Sequence, residues 1–193
     1  MVRTATLRTT ALRLFILVTT TALGALVVTA PAQAASCGIT WGSLAKGAAG
    51  FDPAFDHLTD VRAGRHTCYD RLVIDLADAT GFNAYDVRYV GQVTQEGSGA
   101  VVPLRGDAKL QIVVHANPYD RSGRVTYAPA NRSELVNASG YRTFRQVAWA
   151  GAFEGQTTIG LGVRARLPFR AFTVPGPAGS GTVRIVVDVA HTW

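Results

Sequence analysis

The sequence predicts an all-β fold, a single-domain β-sandwich of about nine short strands in which an early strand, 69–76, runs antiparallel to the last strand, 182–190. Three observations carry this reading. Beyond the first 35 residues, apolar side chains recur with a period of two, and helical periodicity is scarce. The runs are bounded by Gly, Pro, Asn and Asp, the residues of turns. One charged strand pattern is also written twice, as Arg71-Leu-Val-Ile-Asp-Leu76 and as Arg184-Ile-Val-Val-Asp-Val189.

Residues 1–35 read as an export signal. Arg3, Arg8 and Arg13 form a basic start, an apolar run extends from Leu14 to about Val28, and Pro31-Ala-Gln-Ala34 offers small residues for cleavage after Ala34 or Ala35. Threonines interrupt the apolar run, which is too short for a membrane span of about 20 residues. The mature protein is therefore expected to be secreted, without a transmembrane segment. Residues 36–57 read as an irregular lead-in, and 58–193 as the sandwich.

The expected strands are 58–65, 69–76, 85–91, 100–104, 108–115, 142–150, 157–163, 168–174 and 182–190. In Lys109–His115, Leu110, Ile112 and Val114 share a core face and leave Lys109, Gln111 and His115 on the other. Tyr85, Val87 and Tyr89 likewise share one face, which makes the tyrosines core formers. Glu96-Gly-Ser-Gly99 reads as a hairpin tip, Arg105-Gly-Asp107 as a tight turn and 175–181 as a mobile loop. The stretch 116–141 is long for a loop in a compact domain, so it is functional, mobile, or conceals a hairpin around Arg124-Val-Thr-Tyr127.

Alternation assigns the repeated pattern its two faces. Leu72, Ile74 and Leu76 point to the core with Ile185, Val187 and Val189, while Arg, Val and Asp of each strand point the other way. An antiparallel register that opposes Val73 to Val186 sets Arg71 against Asp188 and Asp75 against Arg184. A parallel pairing would oppose like charges, which destabilises.

Charge and cysteines narrow the partners. Removing the three signal arginines lowers the formal charge from +6 to +3, and no element clusters basic residues as a nucleic-acid binder would. Seventeen arginines against Lys46 and Lys109 reflect a GC-rich coding bias. About 158 residues remain, enough for one core that buries roughly 68–70% of the unfolded surface. Cys37 and Cys68 form an even pair in an exported chain, which favours a disulfide. The competing reading is lipidation of Cys37 at the degenerate lipobox Ala34-Ala-Ser-Cys37.

Signals for chemistry are sparse. His57, His66, His115 and His191 have no metal-ligand spacing, and HExxH, GxSxG and P-loop motifs are missing. His66 with Cys68 could ligate zinc only if a second close pair existed. Glu154, near Trp149 and Phe153, is the best single acid for glycoside hydrolysis, with Asp70, Asp75 or Asp188 as its partner. Those aspartates fit better as cross-strand partners of arginines. No catalytic residue, metal or cofactor is expected. Arg65, His66, Tyr69, Trp149 and Glu154 form the candidate ligand surface.

Across Val61-Arg-Ala-Gly-Arg-His-Thr-Cys-Tyr-Asp-Arg-Leu-Val-Ile-Asp-Leu76, the chain resembles the AMIN-like domain of exported bacterial proteins and lipoproteins. The likeness continues through Tyr85–Val90, the Ser98-Gly99…Pro103-Leu104 turn, Phe153-Glu-Gly155, Leu167-Pro-Phe-Arg170 and Arg184–Asp188, and so spans about residues 55–191. The resemblance implies a β-sandwich similar to AMIN, the non-catalytic peptidoglycan-targeting module of cell-wall amidases. It implies no residue-level site. The expected function is a non-enzymatic cell-envelope binding module for peptidoglycan or another wall polymer. The alternatives are a secreted wall hydrolase with Glu154 as acid, and a protein-binding scaffold or inhibitor that uses 116–141.

Overall fold

The computed structural model describes residues 37–49, 56–79 and 84–193, so the expected export signal lies outside the described residues. The segment from Cys37 to Trp193 is one compact unit. Among the described residues it contains eleven strands and no helix. They are β1 (Lys46–Ala48), β2 (His57–Arg65), β3 (Tyr69–Ala77), β4 (Tyr85–Val90), β5 (Val93–Thr94), β6 (Val101–Val102), β7 (Ala108–Val114), β8 (Phe144–Phe153), β9 (Gln156–Val163), β10 (Phe169–Pro175) and β11 (Val183–Ala190).

Two antiparallel sheets form the sandwich. One has five strands in the order β1-β4-β7-β9-β8, the other four in the order β10-β11-β3-β2. The all-β sandwich and the antiparallel pairing of β3 with β11 agree with the sequence reading. Alternation places Leu72, Ile74 and Leu76 of β3, Ile185, Val187 and Val189 of β11, and Leu110, Ile112 and Val114 of β7 in one shared core. Tyr85 and Tyr89 also point between the sheets. Their hydroxyls donate to the carbonyls of Ala171 and Leu167 at 3.0 and 2.9 Å, which ties β4 to the other sheet.

The strand count differs from expectation at two places. The lead-in contributes β1, which pairs with β4 from Lys46 opposite Val87 to Ala48 opposite Tyr85. A strand of three residues is too short to show a period. The strand expected at 100–104 is only the two residues of β6, paired with β5 in a hairpin whose tip is closed by Gly99 N donating to Gln95 O at 3.0 Å. This hairpin lies on the outer face of the five-stranded sheet. Ala148, Gly160 and Gly162 leave room for it: a Cβ at Gly160 would stand 2.7 Å from Leu104 Cδ1, and one at Gly162 would collide with the Arg105 carbonyl oxygen.

The long segment 116–141 holds one edge strand of each sheet, β2 and β8. Leu58 N of β2 donates to Asn117 O, while Trp149 N of β8 donates to Arg132 O and Leu135 N donates to Val147 O. Those bonds satisfy edge groups that would otherwise template pairing with another chain. Tyr127, Leu135, Val136 and Tyr141 pack on the core from the same segment. The segment also contains a small turn, with Tyr119 bridged to Val125 and Asp120 accepting from the backbone of Ser122 and Arg124. Those bonds, the Ser122 hydroxyl's first among them, pull the Asp120 carboxyl down to about 2.

Candidate functional site

The outer face of the four-stranded sheet carries three rows of side chains that run across β10, β11, β3 and β2. Read from the registers, the first is Arg170, Asp188, Arg71 and Gly64, the second Phe172, Val186, Val73 and Arg62, and the third Val174, Arg184, Asp75 and Asp60. Asp60 continues the register of Gly64 and Arg62 along β2, and the bulge between Leu58 and Asp60 returns Leu58 to the core.

Each repeated aspartate is clamped from both neighbouring strands. Asp188, fully buried, accepts from Arg71 Nε and Nη2 at 2.7 and 2.9 Å and from Arg170 Nε at 2.8 Å. Asp75 accepts from Arg62 Nε and Nη2 at 2.6 and 3.1 Å, and Arg184 Nε lies 3.3 Å from it on the other side. The hydrogen bonds to Asp188 push the Arg71 guanidinium above its ordinary value, and those to Asp75 do the same for Arg62. Both acids are thus occupied as anchors of arginines.

The arginines of the first row are also stacked. The Arg170 guanidinium lies 4.4 Å from the Trp41 ring centre, 4.9 Å from Phe172 and 5.6 Å from Tyr69; Arg71 lies 5.3 Å from Tyr69. Tyr69 stacks on His66 at 4.5 Å and meets the edge of Trp41 at 5.6 Å. Trp41 is held beside this row by the Cys37–Cys68 disulfide, whose Cα atoms are 5.7 Å apart. Cys68 therefore offers no thiolate to a metal, and Cys37 in this state has no thiol to carry a lipid. Behind the row, buried His191 faces oxygen acceptors at both ring nitrogens, Thr67 O and Asp70 Oδ1, each at 3.1 Å. His191 N also donates to Cys68 O, so the turn that presents His66 and Tyr69 is fixed from the core side.

Between the first and third rows lies a depression of about 320 Å³ with Val73, Val186 and Val174 as its apolar surface and Arg62, Arg71, Arg184 and His66 around it. No carboxylate lines it. Gly64 opens it on the β2 side, where a Cβ would meet only His66 Nε2, at 3.8 Å.

The five residues expected as one ligand surface do not stand together. His66 and Tyr69 border the outer face just described. Arg65 turns to the ring of Tyr141, 6.0 Å away, because its partner across the strands is the inward Asp70. Trp149 belongs to β8 of the other sheet, packs toward the core and meets Tyr127 at 5.6 Å. Glu154 occupies the β8–β9 turn in a left-handed conformation, with φ of 48°. Its candidate partner acids, Asp70, Asp75 and Asp188, all lie on the four-stranded sheet and are already engaged. Trp41, Arg62, Gly64, Arg170 and Phe172 were not singled out by sequence reasoning. Arg170 and Phe172 carry the one available signal, a period-two outer face on 168–174 next to the repeated charged strand.

Among the described residues, no group of three or more His, Cys, Asp or Glu side chains is placed to hold a metal ion. No described helix is long and apolar enough to cross a membrane. No curated protein and no solved structure matches the chain. The model of the AMIN-like domain family matches residues 56–191, nearly the whole sandwich from β2 to the end of β11. That span is well over half of the sequence, and the chain belongs to the AMIN-like domain family.

Proposed function

We propose that the protein is an exported, non-catalytic binding module of the bacterial cell envelope, held to peptidoglycan or another wall polymer. The observation that carries this reading is membership of the AMIN-like family over residues 56–191. The architecture supports it: one outer face is covered by the β5–β6 hairpin, while the other presents arginines, aromatic rings and a shallow depression. A formal charge of +3 beyond the signal would help approach to an anionic wall, as a salt-screened effect. Mixing the purified protein with insoluble cell wall, peptidoglycan with its attached polymers, at low and moderate salt tests the reading. The protein is expected in the pellet, with recovery falling as salt rises. Recovery in the supernatant at both salts would contradict it.

A further inference from the structure

We infer that the depression between the two clamped-aspartate rows binds a linear phosphodiester polymer, an inference that rests on the envelope-binding reading for the source of that polymer. The outer face holds four arginines, Arg62, Arg71, Arg170 and Arg184, against three carboxylates, Asp60, Asp75 and Asp188. The carboxylates are unevenly placed. Asp188 lies fully buried behind its arginines, and none of the three lines the depression, whereas Arg62, Arg71, Arg184 and His66 do. An entering ligand therefore meets an excess of positive charge over an apolar floor.

The donors that remain decide the kind of anion. A carboxylate is best met by the paired N–H groups of one guanidinium. The paired edges of Arg71 and Arg62 are already spent on Asp188 and Asp75. Among the described residues, Arg71 Nη1, Arg62 Nη1 and both terminal nitrogens of Arg184 have no acceptor, so the depression offers one paired edge, on Arg184, and single donors from Arg62 and Arg71 in other directions. That arrangement suits the tetrahedral oxygens of a phosphodiester. The valines between the rows suit the carbon backbone that links successive phosphates. Rows one and three are separated by four residues along β3, roughly 13 Å, so one phosphate beside Arg71 and another beside Arg184 require a chain and not a single ion.

Gly64 makes the test selective. Its Cβ position is open and its φ is outside the left-handed region, so Gly64→Leu is expected to fill the depression and to leave the arginine clamps in place. Arg184→Gln removes one lining charge, and Asp75 keeps Arg62 as its partner. The experiment titrates the protein with poly(glycerol phosphate), with monomeric glycerol phosphate, with polyglutamate and with phosphatidylglycerol vesicles. The polymer is expected to bind at least tenfold more tightly, per phosphate, than the monomer and more tightly than polyglutamate or vesicles. Gly64→Leu is expected to weaken polymer binding tenfold or more with its melting transition retained. Arg184→Gln is expected to reduce the slope of log affinity against log salt by roughly one. Preference for polyglutamate or for vesicles, no binding of the polymer, or full binding by a folded Gly64→Leu variant would each overturn the inference. Peptidoglycan stripped of phosphodiester polymers that still pellets the protein would leave the envelope reading standing while the polymer inference fails; loss of both would remove both.

Discussion

Arg71 stands directly opposite Asp188 across β3 and β11, and its guanidinium grips that fully buried carboxylate with two hydrogen bonds, at 2.7 and 2.9 Å. Arg170 closes on the same acid from β10. A buried charge left without its partner is costly, whereas a partly exposed ion pair contributes little. Replacing Asp188 by Ala leaves two stacked, partly exposed arginines without their shared acceptor and is expected to lower stability by about 1–3 kcal/mol. Arg184→Gln, at the partly exposed second clamp, is expected to cost under about 1 kcal/mol. Denaturant midpoints of the two variants check the contrast.

The disulfide ties β3 to the segment that carries Trp41, across a sequence separation of 31 residues. Loop-closure entropy for that length corresponds to about 3–4 kcal/mol. The double variant Cys37→Ser/Cys68→Ser is expected to melt at a correspondingly lower temperature. Its tryptophan emission should also change, because Trp41 loses its seat on Arg170 and Tyr69. Calorimetry and fluorescence on the oxidised and variant proteins check this.

Two glycines in strands should respond in opposite ways. Gly162→Ala drives a methyl group into the Arg105 backbone under the β5–β6 cover and is expected to cost about 1–3 kcal/mol or more. Gly64→Ala meets no backbone and reduces the freedom of the unfolded chain, so it is expected to be neutral or stabilising by up to about 1 kcal/mol. Thermal unfolding of the pair measures the difference.

Burial between the long segment and β8, reinforced by the nearby Asp60 charge, raises the Tyr127 phenol to about 12. Tyr85, Tyr89 and Tyr141 are raised as well, chiefly by burial. The unfolded chain ionises near 10, so the folded state holds more protons between 10 and 12. The stabilisation is therefore complete below about pH 10 and is lost as pH climbs through about 12. Ultraviolet titration should show a late phenolate step that shifts toward 10 in denaturant.

Much of this architecture was legible in the sequence for a definite reason. The repeated Arg-x-Val-x-Asp pattern admits an antiparallel register that pairs unlike charges, while a parallel one opposes like charges, so β3 and β11 could be joined before any coordinates. The second arginine on each acid was not legible, because Arg170 and Arg62 reach Asp188 and Asp75 only through the strand order β10-β11-β3-β2. Trp41 was hidden for a related reason: it precedes a strand of three residues and is placed by a disulfide and by cation–π stacking, neither of which leaves a period. Residue type alone joins Arg65, Trp149 and Glu154 to His66 and Tyr69, whereas strand parity and sheet membership separate them.

Sedimentation with insoluble cell wall, run side by side for the wild-type protein and Gly64→Leu across a salt series, tests the central claim that this sandwich binds the envelope through the open face of its four-stranded sheet. Wild type is expected to pellet at low salt and to be released as salt rises, while the folded variant stays largely in the supernatant throughout. Equal pelleting of the two proteins, or pelleting of neither, would contradict it.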